Sequence, residues 1–388
     1  MKKLTLLLLL LFLFFKSTFA EMLNVGILDK QAITSFIFYP QEGKYIIYTE
    51  SGKIEEIDNT EIIELSFWNN KITVKSLEKD YGSFLKIRII GVATKNAFKL
   101  KTNKPLGKII QYEDNLFIRV HPYNNYLQLI NNIDIDNYVA GVVEAEVGKS
   151  PPEEYFKLQA IICRTYALKN IKKHENEGFS MCDKVHCQAY HGKPKSEIIH
   201  QAAELTSNIV IVDSEINLIT ATFFSNCGGQ TANSQDVWHS NLYYLKSVKD
   251  TFCLHENNSI WSKRIPKGDW IQYLITQHNY PKENLNDICD IEYFQLNREQ
   301  YFEKNNVQIP FVKIRSDWNL KSAQFDVSLD NNFVILSGKG FGHGVGLCQE
   351  GAMRMAKMGY SYADILHFYY EGVHMINLKS LNFFKTDF

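Results

Sequence analysis

Short apolar runs divided by polar turns fill the chain from Leu23 to about Leu129. Tyr45-Ile46-Ile47-Tyr48, Ile87-Arg88-Ile89-Ile90-Gly91-Val92 and Leu116-Phe117-Ile118-Arg119-Val120 are rich in β-branched and aromatic residues, and Gly, Asn and Asp separate such runs. This pattern predicts a succession of strands. No cluster of chemically active residues stands out there, so the segment reads as a β-rich accessory region.

The texture changes near Asn131. Ser150-Pro151-Pro152-Glu153 carries a helix start, with Ser as N-cap, Pro in the first turn and Glu in the capping-box position. Phe156, Gln159, Ile162, Cys163, Tyr166 and Ala167 follow at helical spacing, which puts Gln159, Cys163 and Tyr166 on one buried or cleft-facing side. Strands are expected again at Ile209 to Val212 and Leu218 to Phe224. From Pro266 to about Arg315 only a helix near Trp270 to Gln277 is readable, and the stretch is taken as an insertion. Phe333 to Leu336 predicts a strand leading into Gly340-Phe341-Gly342-His343-Gly344-Val345-Gly346, whose alternate glycines permit close backbone approach. Gln349 to Lys357 predicts a helix stopped by Gly359, and Ser361 with Asp364 can cap a second one ending before Gly372.

Composition narrows the class. The 388 residues are 45% hydrophobic and 22% charged, enough for a substantial core, and 42 basic against 43 acidic residues give a formal charge of −1. Such a balance points away from nucleic acid. Lys2 and Lys3 precede the apolar run Leu4 to Phe15, and Thr18-Phe19-Ala20 offers a small-residue processing site, so residues 1–20 read as a signal peptide and the protein as exported. The alternative is an uncleaved N-terminal anchor. Seven cysteines are too few for a disulfide scaffold in a chain of this length, and their odd number leaves at least one unpaired.

Four constellations can carry chemistry. Glu144 and Glu146 lie in the apolar run Tyr138 to Val147; a carboxylate in such surroundings stays protonated near neutral pH and serves as a general acid, or else the pair merely caps the next helix. Cys182, His186 and Cys187, with His174 upstream, offer the ligands of a tetrahedral zinc site, against which stands a Cys182–Cys187 disulfide. Phe224 to Asn233, followed by Asp236-Val237-Trp238, combines a Gly-Gly turn, polar side chains and an indole, as a carbohydrate cleft would, although many turns share this composition. His343 is either an acid/base group or a ring held by the glycine loop.

In combination these segments resemble the stage II sporulation protein D, or amidase-enhancer, family. The pieces that carry the resemblance are Tyr138 to Glu146, Gln159 to Leu168, Cys182 to Tyr190, Phe224 to Trp238, Gly340 to Ala352 and Gly359-Tyr360-Ser361, in the family's order across Asn131 to Gly372. The resemblance implies a lytic transglycosylase that cleaves peptide-free glycan strands of peptidoglycan. It matches the catalytic acid to Glu146, which would protonate the glycosidic oxygen and then, as carboxylate, help the substrate's own C6 hydroxyl close an anhydro ring. It implies structural zinc on Cys182, His186, Cys187 and His174, and a groove lined or supported by Arg164, Tyr166, Gln188, Ser225, Gly229, His343 and Gln349. An amidase is the implied partner. This sequence departs from the family at Glu144, at Val147-Gly148-Lys149, and at Cys163, Cys227 and Cys348, where small residues are more usual.

The expected fold is α+β: a signal peptide over 1–20, a β-rich region over 21–130, and a mixed α/β catalytic domain over 131–388 with an insertion at 266–315. Its long cleft would run along the helix from Pro152 to Lys169, the Gly228-Gly229 turn and the Gly342 to Gly346 loop. The rival function is a noncatalytic glycan-binding module that stimulates an amidase. A zinc amidase or protease is a third reading and requires an open coordination position on the metal.

Overall fold

The computed structural model describes residues 21–147, 150–281 and 291–380. The expected signal peptide, Gly148-Lys149 and Cys289 lie outside the described residues. The fold is α+β, and the chain forms two compact units: the described parts of Met1–Ala145 with Asn170–Pro194, and of Glu146–Lys169 with Lys195–Phe388.

The first unit is built from two sheets. One orders its strands Met181–Cys182, Met22–Ile27, Leu127–Asp134, Asn115–Val120, Lys86–Gly91, Tyr45–Thr49, Gly52–Ile57; the other runs Ile109–Glu113, Ala97–Lys104, Ser35–Glu42, Ile63–Trp68, Lys71–Lys75, Asp80–Phe84. The three strands expected from apolar runs are all present. Their neighbours are antiparallel, so each strand turns alternate residues inward. Tyr45, Ile47 and Thr49 are buried while Ile46 and Tyr48 are half-buried. Phe38 and Phe98 of the second sheet stack at 4.9 Å and meet the edge of Tyr45 from the first, Phe38 at 5.3 Å, so aromatic faces fill the space between the sheets. Only Met181–Cys182 joins in parallel, beside Val25 and Gly26, and it carries the cysteine-histidine segment. The expected boundary after residue 130 falls inside the strand Leu127–Asp134.

That strand runs directly into the helix Ile135–Val147, which takes in the apolar run that carries Glu144 and Glu146. Asp134 Oδ1 accepts the backbone N–H of Asp136 at 2.7 Å and so satisfies an otherwise orphaned helical donor. Burial and the nearby charges of Asp136 and Asp114 push the Asp134 carboxyl up to about 6. Tyr138 through Val143 are all buried, so the helix has no polar stripe in that stretch and its period is hidden.

In the second unit the helix Glu153–Lys169 is the hub. It begins three residues beyond the expected Ser150 cap, because the N–H groups of Tyr155 and Phe156 find the carbonyl of Pro152. The predicted stripe is buried except for half-buried Tyr166, but Tyr155, Leu158, Ala160, Ile161, Arg164 and Thr165 are buried too. The helix is therefore enclosed rather than amphipathic. Around it pack Ile211, Phe224, Leu347, Ile365, Leu366, Tyr369 and Tyr370. Of the strand expected over Leu218 to Phe224 only Phe223–Phe224 forms, pairing in parallel with Leu347–Cys348, while Leu218 makes an isolated bridge to Val212. Gln349–Lys357 is helical as predicted, and Ser361 with Asp364 forms a reciprocal capping box at Tyr362–Tyr369. A separate core of Trp270, Phe302, Phe311, Phe325, Val334 and Leu336 lies within Ile260–Lys339 and includes the predicted helix, here Lys267–His278. Among the described residues no helix is long and apolar enough to cross a membrane.

Gly141 sets how closely the helix Ile135–Val147 packs in the first unit. A Cβ there would stand 2.5 Å from the Gly192 carbonyl oxygen and 2.6 Å from the Tyr190 ring. Alanine gains about 1 kcal/mol of helix propensity, yet forcing backbone aside costs about 1–3 kcal/mol. Gly141→Ala is expected to lower stability by up to about 2 kcal/mol in urea unfolding; a stabilised variant would show that the contact is soft.

Candidate active site

Glu146 is half-buried in the last turn of the helix Ile135–Val147. Glu144 precedes it by two residues, and at 3.6 residues per turn two positions differ by about 200°, so the carboxylates leave the helix on different sides. In the second unit Glu146 acts electrostatically on Tyr155, whose hydroxyl is held far above its ordinary pKa first by burial and then by Cys163, Cys348 and Glu146. The Tyr155 hydroxyl donates to Gln159 Oε1 at 3.1 Å and is also within reach of the Gln349 amide. Gln349 is 8% exposed and, among the described residues, its Nε2 has no hydrogen-bond partner. Glu146 thus lies within electrostatic range of a buried phenol that is itself packed beside the Gln349 side chain.

The glycine loop lies against the segment Thr222 to Ala232. Gly340, Gly342, Gly344 and Gly346 all have positive φ, and a Cβ on Gly346 would fall 2.3 Å from the Thr222 carbonyl oxygen. Only glycine permits both the conformation and the approach. The Asn226–Phe341 and Ala232–Val345 bridges fix the register. Ser225 is half-buried and its carbonyl accepts the Glu350 N–H at 3.0 Å, tying this segment to the helix that presents Gln349. Gly229 sits in the turn with φ +105. Trp238 is 38% exposed, and its ring centroid lies 5.2 Å from that of His343.

In the first unit the donor atoms of His174, Cys182, His186 and Cys187 all lie within 4.8 Å of one another. His174 Nε2 is 3.2 Å from Cys187 Sγ, and His186 Nδ1 is 3.8 Å from both sulfurs. Tetrahedral zinc with bonds of about 2.0–2.3 Å needs donors separated by roughly 3.3–3.8 Å, so the set fits. His174 Nδ1 is 2.6 Å from Glu177 Oε1, an arrangement that orients a ligating imidazole. Phe179 stacks on His174 at 5.0 Å and closes over Gly26, where a Cβ would stand 2.8 Å from the ring. Both cysteines are free thiols, so a Cys182–Cys187 disulfide is absent. Burial holds the Cys187 thiol up at about 11, where it keeps its proton unless a cation displaces it.

The SpoIID family model, described as stage II sporulation protein, matches residues 123–212. An uncharacterized protein of Brachyspira hyodysenteriae (strain ATCC 49526 / WA1) is 30% identical over 318 residues, covering 80% of this chain and 84% of that protein. Stage II sporulation protein D of Bacillus amyloliquefaciens is 29% identical over 284 residues, 68% of this chain and 80% of its own. The chain belongs to the stage II sporulation protein D family. It is also similar to the amidase enhancer of Bacillus subtilis (strain 168), 26% identical over 356 residues, which are 78% of this chain and 48% of that one.

The remaining residues that the family resemblance singles out fall in distinct places. Arg164 has no exposure; its guanidinium donates to the carbonyls of Ala203 at 3.0 Å and Ile209 at 3.3 Å, so it supports the second unit from within. Tyr166 is half-buried on the same helix. Gln188 belongs to the first unit, where its Oε1 accepts from Tyr138 at 3.3 Å and its buried Nε2 has no partner among the described residues. His343 takes the second of its two expected roles, a ring held by backbone: Nε2 meets the Phe223 carbonyl at 3.0 Å and Nδ1 the Val345 N–H at 3.1 Å, so neither nitrogen is available to a substrate. Its face, beside Phe224 and Trp238, is what it contributes. Sequence reasoning missed Tyr155 and Glu177, which no motif flags because one is an ordinary core aromatic and the other an ordinary surface acid.

Burial lowers His343 from 6.5 to about 4. The folded state thus holds it neutral while the unfolded chain binds the extra proton, so its contribution to stability is complete above pH 6.5 and is lost as pH falls through about 4. Wild type is expected to lose about 3 kcal/mol more than His343→Gln over that interval. Denaturant melts across the acidic range check this; parallel curves for the two proteins would refute it.

Proposed function

We propose that this protein is an exported lytic transglycosylase of the cell wall, acting on peptide-free glycan strands with Glu146 as its acid and base. The observation that carries the reading is the placement of Glu146, half-buried in the last turn of its helix and within electrostatic range of the buried Tyr155, at the position that the resemblance matches to the family's acid. The protonated carboxyl of Glu146 gives its proton to the glycosidic oxygen as the bond to the N-acetylmuramic acid anomeric carbon breaks. The resulting carboxylate takes the proton of that sugar's C6 hydroxyl as its oxygen closes on the anomeric carbon, which leaves a 1,6-anhydro end and restores the acid. No second carboxylate is needed, because the substrate supplies the nucleophile; the divergence of Glu144 from Glu146 accords with this.

Tyr155, held by Gln159, lies beside the buried Gln349 side chain and supports the site from beneath. Trp238, backed by His343, offers an apolar face on which a pyranose ring can stack. The polar surroundings of the Ser225 to Gly229 turn suit the remaining hydroxyls. His174, Cys182, His186 and Cys187 would hold zinc, and when bound it supplies a four-point crosslink with no open position for water. That favours a structural ion over an amidase or protease centre.

The amidase-enhancer relative keeps a second reading in view, in which the protein binds glycan and stimulates an amidase without cutting. Peptide-free strands incubated with wild type and with Glu146→Gln, followed by mass spectrometry, separate the two. Wild type is expected to yield anhydro-ended fragments, and the variant to be slower by roughly 100-fold or more. Intact strands from both proteins, with tight glycan binding, would establish the amidase-stimulating module instead.

A further inference from the structure

Three cysteines of the second unit that the proposed function leaves unused converge with one aspartate. Cys227, Asp250, Cys253 and Cys348 have no solvent exposure, and their donor atoms all lie within 4.8 Å of one another. Cys227 Sγ is 3.3 Å from Cys253 Sγ and 3.3 Å from Asp250 Oδ2. We propose that this cluster is a second, structural metal site, taking a zinc-class divalent cation on three thiolates and one carboxylate, and that it braces the Ser225 to Gly229 turn against the helix bearing Gln349.

Each donor is already oriented as a ligand. Cys348, the N-cap of the helix Gln349–Lys357, receives the backbone N–H groups of Cys227 at 3.2 Å and Gly351 at 3.4 Å on its sulfur, the arrangement that stabilises a thiolate. Cys253 Sγ is approached by the backbone of Gly229 and Cys227. Asp250 Oδ1 accepts the Phe252 N–H at 2.9 Å, and Oδ2 accepts the Tyr369 hydroxyl at 2.8 Å, which aims the carboxylate inward. Gly351 makes room for it, since a Cβ there would stand 2.3 Å from Asp250 Oδ2 and 2.4 Å from the Tyr369 oxygen.

A tetrahedral site with zinc–sulfur bonds of about 2.3 Å separates its thiolates by roughly 3.8 Å, within the spread of this cluster. Among the described residues no basic side chain forms an ion pair with Asp250, and a fully buried carboxylate without a cation is costly. A Cys227–Cys253 disulfide would use two of the donors and leave Cys348 and Asp250 unexplained. Binding replaces thiol protons, released to solvent, by metal–sulfur bonds and involves no redox change. Soft thiolates with one oxygen select zinc over calcium or magnesium.

Cobalt(II) titration of the reduced, metal-free full chain tests the proposal, read by ligand-field bands in the visible and sulfur-to-cobalt charge transfer in the near ultraviolet. The double variant Cys182→Ser/Cys187→Ser removes two ligands of the other cluster, so the equivalent it still binds, with a thiolate-rich spectrum, is the expected result. Tyr369→Phe, which keeps the ring and all four ligands, is expected to weaken that binding by roughly 10–100-fold. If the first cluster binds no metal, wild type takes up a single equivalent that Cys253→Ser abolishes, which still supports this site. A folded double variant with no cobalt bands, or an intact mass lower by two hydrogens with Cys227 and Cys253 linked in peptide maps, would overturn it.

Discussion

The second unit is organised around a helix that buries polar side chains along most of its length and meets solvent mainly at its two ends. Glu153–Lys169 buries Gln159, Arg164 and Thr165 along with its apolar residues, and each buried polar group must find a partner or cost several kcal/mol. The pairings dictate what lies next to the helix. Arg164 reaches the carbonyls of Ala203 and Ile209, Thr165 Oγ1 bonds the Ile161 carbonyl and accepts the Ile211 N–H, and Gln159 takes the Tyr155 hydroxyl. An apolar neighbour would serve none of these. The helix therefore fixes the strand Ile209–Val212 on one side, and its own Tyr155, held by Gln159 one turn on, lies beside Gln349.

The proposed chemistry needs little that moves and much that is held. A single carboxyl group can cut a glycosidic bond when the substrate brings its own nucleophile, but only if the sugar is oriented so that its C6 hydroxyl reaches the anomeric carbon. The glycine loop and the turn at Gly228-Gly229 serve that requirement by packing backbone against backbone, where a Cβ at Gly340 would lie 2.5 Å from the Asn226 carbonyl oxygen. His343 gives up its polar atoms to the same task. It is a fixed ring under a half-exposed indole rather than an acid or base.

Much of this was legible in the sequence where the signal is local. The capping box at Ser361, the helix Gln349–Lys357 and the cysteine-histidine cluster each depend on residues within a few turns of one another. The helix Ile135–Val147 was hidden because complete burial from Tyr138 to Val143 erases the amphipathic period that reveals a helix. Leu218 to Phe224 has strand composition, yet most of it lacks a pairing partner, and composition alone does not supply one. The cluster of Cys227, Asp250, Cys253 and Cys348 was unreadable for a different reason. Its members come from a turn, a loop and a helix cap far apart in the chain, and only tertiary packing brings them together.

The central claim is that the glycan is cleaved by internal attack of its own C6 hydroxyl, with Glu146 moving the protons. Running the reaction in water enriched in heavy oxygen and weighing the new reducing-side ends tests it most directly. The account predicts muramic ends without the label, lighter by one water than hydrolysis products. Ends that carry the heavy oxygen would show that water is the nucleophile and would contradict it.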